Sequence, residues 1–316
     1  MKVKFWGTRG SLPIAMTSAM VRQKLIHALL EARGRSFDNE NDVAAFVDEL
    51  PFHISGTFGG HSSCVQIDTG SGDFIICDCG SGLRPFGLYS MGASKGNGRY
   101  HIFISHPHWD HIMGFPFFVP AYVPGNRITI YGCHDNLQGA FSQQQRAPFF
   151  PVDFSVLGAE IDFVRLETDQ CYEIAGMSVT AKRQIHGGDS YGYRFQKDDK
   201  ILVYSTDAEH KQEDVDEIDV AVEFFRDADA IVFDAMYSLA DAMSLKEDWG
   251  HSSNMVGVEL AQMAGARRLC LFHHEPTSND LTLLNIQQET ERLEEITRAD
   301  SPLQVITTYD GLELEL

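Results

Sequence analysis

Three of the thirteen histidines fall between positions 106 and 111, in Ser105-His106-Pro107-His108-Trp109-Asp110-His111, directly after an apolar run. In an extended segment, side chains two apart face the same way, so His106 and His108 can bind one ion together. Once the chain turns into a helix, Asp110 and His111 can point to a second ion beside the first. Imidazole and carboxylate suit Zn²⁺, with Mn²⁺ or Fe as alternatives. The isolated His27, His53, His101, His134 and His210 have no such company and read as separately solvated or hydrogen-bonded. Metal binding can itself supply a hydroxide nucleophile, so the chemistry does not call for a nucleophilic serine.

The elements that must hold these side chains can be read from periodicity. A short strand at 3–6 runs into the glycine-rich turn Gly7-Thr8-Arg9-Gly10-Ser11. Val21, Leu25, Ala28, Leu29 and Ala32 then recur at helical spacing, with Ser18 as a cap and Gly34 as a stop. A second helix carries Val43, Phe46, Val47 and Leu50 on one face and ends before Pro51. Together they read as a helical insertion at about 14–55. Apolar runs predict strands at 64–67, 74–77 and 101–105, then at 128–131, 179–182, 191–195 and 201–204. Further strands at 231–233 and 269–272 flank a helix at about 254–264, and 303–316 alternates like a terminal hairpin around Asp310-Gly311. The class is mixed α/β, read as one domain over 1–316 with no internal repeat.

His-x-His-x-Asp-His after an apolar strand resembles the signature of the metallo-β-lactamase superfamily. Phe5 to Ser11, Gly59-Gly60-His61-Ser62-Ser63-Cys64 and Cys77-Asp78-Cys79-Gly80-Ser81-Gly82 resemble the opening motifs of its phosphodiesterase-like branch, which includes tRNase Z and a cyclic phosphodiesterase. The resemblance implies an αβ/βα sandwich, two mixed sheets packed face to face with helices outside. It also implies the remaining ligands. His186 matches the third histidine of the first metal, Asp207 the carboxylate bridging both, and His273 the last histidine of the second, with His274 as its rival. Asp234 and His251 resemble the pair that assists the leaving group in that branch. Asp78 takes the place of a residue that orients a ligand histidine. His61 stands where relatives commonly carry Asn and is not assigned as a ligand. No cysteine sits where the β-lactam-hydrolysing branch has its thiolate ligand.

Two dications among Asp110, Asp207 and neutral histidines leave about two positive charges, which favours hydroxide and an anionic substrate. Metal binding lowers the pKa of water towards ~7, so a nucleophile exists at neutral pH. The reading is a dinuclear metal-dependent hydrolase of a small phosphodiester, a cyclic nucleotide or cyclic phosphate, in which His251 protonates the departing alkoxide. Hydrolysis of a lactone or thioester is the alternative within enzymes. A non-hydrolytic di-iron sensor or redox module is the alternative from another class.

Composition adds expectations about partners. The 316 residues carry a formal charge of −20, with no Lys/Arg excess and no basic Gly/Pro-rich arm, and on that ground long nucleic acid is excluded as a partner. A small anionic substrate remains, since bound metal supplies positive potential locally. No apolar run reaches bilayer-spanning length, so no membrane is expected and the location is read as cytoplasmic. The six cysteines lack the spacing of a disulfide framework and read as reduced and mostly buried. The helical insertion is read as a homodimer contact or a lid over the metal cleft.

Overall fold

The structure is a computed structural model that describes residues 1–210, 215–236, 250–298 and 301–316. Its first sheet is built from β1 (Lys2–Gly7), β2 (Cys64–Asp68), β3 (Phe74–Cys77), β4 (Arg99–Phe103), β5 (Arg127–Gly132) and β6 (Glu160–Arg165). The second is built from β7 (Cys171–Ile174), β8 (Met177–His186), β9 (Gly188–Lys197), β10 (Lys200–Ser205), β11 (Ala230–Asp234), β12 (Arg268–Phe272) and β13 (Gln304–Thr307). A last strand, β14 (Glu313–Glu315), returns to the first sheet, whose order is β14-β1-β2-β3-β4-β5-β6. The second sheet runs β13-β12-β11-β10-β9-β8-β7.

Each sheet has one antiparallel half and one parallel half. From β14 to β3 and from β7 to β10 neighbours are antiparallel, while β3 to β6 and β10 to β13 are parallel. The central parallel strand β11 has both faces covered, which explains why Ala230–Asp234 is buried at every position and reads as a continuous apolar run. The edge strands β6 and β7 escaped the apolar-run reading because they mix charged and apolar residues, as in Glu160–Arg165 with its exposed Glu160, Asp162, Val164 and Arg165.

The inner faces of the two sheets meet in a core where Phe5, Ile67 and Phe103 face Val179, Tyr193, Phe195, Tyr204 and Phe272. Phe103 packs edge-on against Phe195 with ring centroids 5.0 Å apart. Burying side chains of this size stabilises the sandwich by about 1.5–3 kcal/mol each. The outer face of the first sheet is covered by Leu83 and Phe86, from the helix Leu83–Ser94, with Phe115 and Phe118. The outer face of the second is covered by Val258 and Leu260 from Asn254–Met263 and by Leu283 and Ile286 from Asp280–Thr297.

Between β1 and β2 the chain forms the helices Ser18–Glu31, Glu40–Glu49 and Phe52–Ser55. Thr17, rather than Ser18, caps the first helix, its side chain accepting from Met20 N. The apolar stripe forms at helical spacing but faces outward, with Val21 42%, Leu25 59% and Leu29 71% exposed. The second helix buries Phe46, while Val43 and Val47 stay exposed. The expected terminal hairpin is absent. Residues Gln304–Thr307 pair with β12 in one sheet and Glu313–Glu315 with β1 in the other, because the turn at 308–312 carries the chain across the sandwich edge. The six cysteines are free, and all but Cys171 are buried. Among the described residues no helix is long and apolar enough to cross a membrane.

Candidate metal centre

The donor side chains collect where strands of both sheets end. His106 and His108 follow β4, and Asp110 and His111 lie in the one-turn helix Trp109–Ile112 that comes next. The second sheet brings His186 at the end of β8, Asp207 just past β10 and His273 just past β12. His106, His108 and His186 form one group whose ligand atoms lie within 4.8 Å of one another, and Asp110, His111 and His273 form another. Asp207 stands between them. Its Oδ2 is 3.7 Å from both His106 Nε2 and His186 Nε2, while its Oδ1 is 3.2 Å from both His111 Nε2 and His273 Nε2. His273 Nε2 also lies 3.3 Å from Asp110 Oδ2. His274 points elsewhere: its Nε2 donates to Thr308 O at 2.8 Å, and burial, followed by Arg9, pushes its pKa down to about 3. Adjacent residues at a strand end face opposite sides, which separates the two histidines.

The electrostatics fit cations. His106 Nε2 and His111 Nε2 are buried with no hydrogen-bond partner, although His111 Nε2 lies 3.1 Å from Asp110 Oδ2 in poor alignment for one. Burial works against charge on His111, but the carboxylates of Asp110, Asp207 and Asp78 outweigh it and hold its pKa well above the usual imidazole value. Burial likewise opposes ionisation of Asp207, yet His273, His111 and His106 hold its pKa well below the carboxylate range. Burial and neighbouring imidazoles lower His106 and His108, keeping them in the neutral form that ligates. Nitrogen and carboxylate donors in this set suit divalent transition-metal ions.

A ring of supports fixes the donors. Asp78 accepts from His111 Nδ1 at 2.7 Å, from Ser105 Oγ at 2.7 Å, from Tyr204 OH at 2.7 Å and from Ser105 N at 2.8 Å. The Nδ1–H of His111 is thereby pinned and its Nε2 aimed at the carboxylates. With its hydroxyl proton given to Asp78, Ser105 accepts from His106 Nδ1 at 3.1 Å. His186 Nδ1 donates to Gly250 O at 2.7 Å, and Ser11 N donates to Asp110 Oδ2 at 2.9 Å. Gly250 has φ +79°, and a Cβ there would meet His186 Nδ1 at 2.5 Å, so only glycine brings its carbonyl this close. Ser105, Tyr204, Ser11 and Gly250 carried no assigned role in the sequence. Ser105 and Gly250 directly precede His106 and His251, but nothing in their own types marks the contact. His61 stays outside the donor groups, with its Nδ1 3.1 Å from Ser81 Oγ.

Asp234 and His251 form a pair beside the two groups. His251 Nδ1 donates to Asp234 Oδ2 at 2.7 Å, and its ring stacks over His273 with centroids 5.1 Å apart. Burial lowers the His251 pKa, but Asp234 overrides it, with help from Asp207 and Asp110, and the pKa is pushed up to about 9. Asp234 Oδ1 also lies 3.7 Å from His273 Nδ1, so one carboxylate faces both rings.

Residues 74–274 match the family described as "Beta-lactamase superfamily domain". A relative named ribonuclease Z, from Geobacillus kaustophilus, is 28% identical over 244 residues, covering 63% of this chain and 76% of the relative. Among solved structures, the metallo-β-lactamase fold protein YhfI from Bacillus subtilis superposes with TM-score 0.64 and 17% identity over 99% of both chains. A diphosphatase from the PhnP family superposes with TM-score 0.61 and 19% identity over 100% of this chain and 97% of that one. The ribonuclease Z relatives overturn the exclusion of long nucleic acid that was drawn from net charge. A charge summed over the whole surface says little about the potential at one cleft, which nearby dications and oriented N–H groups determine. By the extent of the matched region and the ribonuclease Z relatives, the chain belongs to the metallo-β-lactamase superfamily of metal-dependent hydrolases, in its phosphodiesterase-like branch.

Proposed function

We propose that this chain hydrolyses phosphodiesters with two divalent transition-metal ions, zinc before manganese or iron, and that its substrate is a small phosphodiester such as a cyclic nucleotide or cyclic phosphate. The observation that carries the reading is the placement of Asp207, whose two oxygens face separate histidine groups, as a bridging ligand requires. His106, His108, His186 and Asp207 would hold one ion, and Asp110, His111, His273 and Asp207 the other. Such ions, when bound, act as Lewis acids on a phosphoryl oxygen and bring the pKa of water towards ~7.

The protein's own groups orient and move protons. Ser11 N fixes the Asp110 carboxylate, and Asp78 and Gly250 fix the tautomers of His111 and His186. Asp234 accepts from His251 Nδ1, so the proton that His251 can give to a departing alkoxide is carried on Nε2. Asp234 also favours the imidazolium that must give it.

RNA is a second reading, favoured by the similarity to ribonuclease Z. The deciding experiment quantifies bound metal by mass spectrometry and compares rates on bis(p-nitrophenyl) phosphate, a cyclic nucleotide, precursor tRNA and a lactone panel. Close to two ions per chain and phosphodiester turnover well above lactone turnover are expected. A metal-free, fully active protein, or one that prefers lactones, would overturn the proposal. Efficient cleavage of precursor tRNA with slow turnover of small diesters would move RNA to first place.

A further inference from the structure

Trp109 sits between two of the proposed ligands, His108 and Asp110, and opens the one-turn helix Trp109–Ile112. Its backbone is held tightly, because Met113 N donates to its carbonyl at 2.7 Å and His111 N to that of His108 at 3.0 Å. Asp110, His111 and Ile112, which follow it, are all buried. The Trp109 side chain is nonetheless 79% exposed. Trp6 shows how this chain treats an indole that serves packing: it lies against Phe86 and Tyr89 at 5.7 and 5.3 Å and donates its Nε1–H to Gln66. Among the described residues no aromatic ring packs on Trp109. A core role is therefore excluded, and a large rigid apolar ring stands bare one residue from the donor groups. The neighbouring His108 is itself exposed, so the centre reaches solvent at the residue before Trp109.

We propose that Trp109 is a stacking platform for a nucleobase, which makes the substrates nucleobase-bearing phosphodiesters; this rests on the phosphodiester reading above. A nucleotide carries its flat ring one sugar away from its phosphate, and here an exposed flat ring is carried by the residue between two of the groups that would meet that phosphate. Stacking on an indole also supplies affinity without cationic side chains, which suits a chain of charge −20.

The test titrates the zinc-loaded protein with AMP and with ribose 5-phosphate by calorimetry, in the wild type, Trp109→Phe and Trp109→Ala, and follows tryptophan fluorescence in the wild type alone. AMP is expected to quench the wild type and to bind about ten- to a hundredfold more tightly than ribose 5-phosphate. Trp109→Ala should lose that preference at unchanged metal content, and Trp109→Phe should keep part of it. In turnover, the kcat/KM ratio of thymidine 5′-(p-nitrophenyl phosphate) to methyl p-nitrophenyl phosphate should fall by a similar factor in Trp109→Ala, through KM. An equal AMP preference in wild type and Trp109→Ala refutes the platform. If neither diester is turned over by the wild type while the AMP preference is present in the wild type and lost in Trp109→Ala, the catalytic reading fails and the platform stands.

Discussion

Asp78, Asp207 and His273 share an unusual backbone, with φ of 61°, 48° and 61°, each just beyond the end of a strand. Side chains other than glycine enter this left-handed region at a cost of about 1 kcal/mol or more, and such outliers gather at functional sites. Asparagine tolerates it at least as well as aspartate, so Asp207→Asn removes the charge without adding backbone strain, whereas Asp207→Ala removes the charge and adds strain. Both variants should lose metal and activity together, with Asp207→Asn losing less stability than Asp207→Ala. His251→Ala should instead keep its metal and slow turnover by ~10²–10⁴-fold, if it protonates the leaving group. That deficit should shrink with p-nitrophenolate, which needs little protonation, and grow with an alkoxide; equal deficits would make His251 a substrate-positioning group. At this scale the hexad from His106 to His111 was legible because its ligands are neighbours in sequence. The supports were not, since Tyr204 reaches Asp78 from 126 residues away.

The first inserted helix, Ser18–Glu31, is linked to the body of the protein by one ammonium. Lys24 Nζ reaches Asp280 Oδ2 at 2.6 Å, His53 O at 2.5 Å and Gly56 O at 2.8 Å, so all three of its donors are used on the inner side of a helix whose apolar residues face out. Asp280 also accepts from Phe58 N and Thr57 Oγ1, joining the insertion to the helix Asp280–Thr297. Lys24→Met preserves the stem and removes the charge. It should cost about 2–3 kcal/mol, less than a wholly orphaned buried pair because Asp280 keeps two donors. Hydrogen exchange should speed up selectively across residues 18–55; a uniform loss of protection would show that Lys24 supports the whole fold. Periodicity located these helices but not their orientation. A stripe of Val21, Leu25 and Leu29 looks the same whether it faces a core or faces out, and the deciding residue is the single lysine that flanks it on the inner side.

Across the whole molecule, the centre joins two sheets that repeat one pattern of pairing without a visible repeat in sequence. Each sheet supplies part of each donor group, so the site exists only when both are formed and packed through the core around Phe103 and Tyr204. The central strands were legible as apolar runs because burial on both faces leaves little room for polar residues. The destination of the last strand was not, since alternation in residues 303–316 does not say which sheet receives it. Its position against β1 has a consequence for how the protein behaves in concentrated solution. The three residues Glu313, Leu314 and Glu315 occupy the hydrogen-bonding edge of β1, opposite Lys4, Val3 and Lys2, and Leu316 N donates to Met1 O. With residues 312–316 deleted, that edge lies open as a template for another chain's strand. The shortened protein should hold its metal, because no donor is touched, yet self-associate as concentration rises, seen as growing light scattering; scattering equal to the parent's would show that Lys2 and Lys4 alone suffice to keep the edge from pairing.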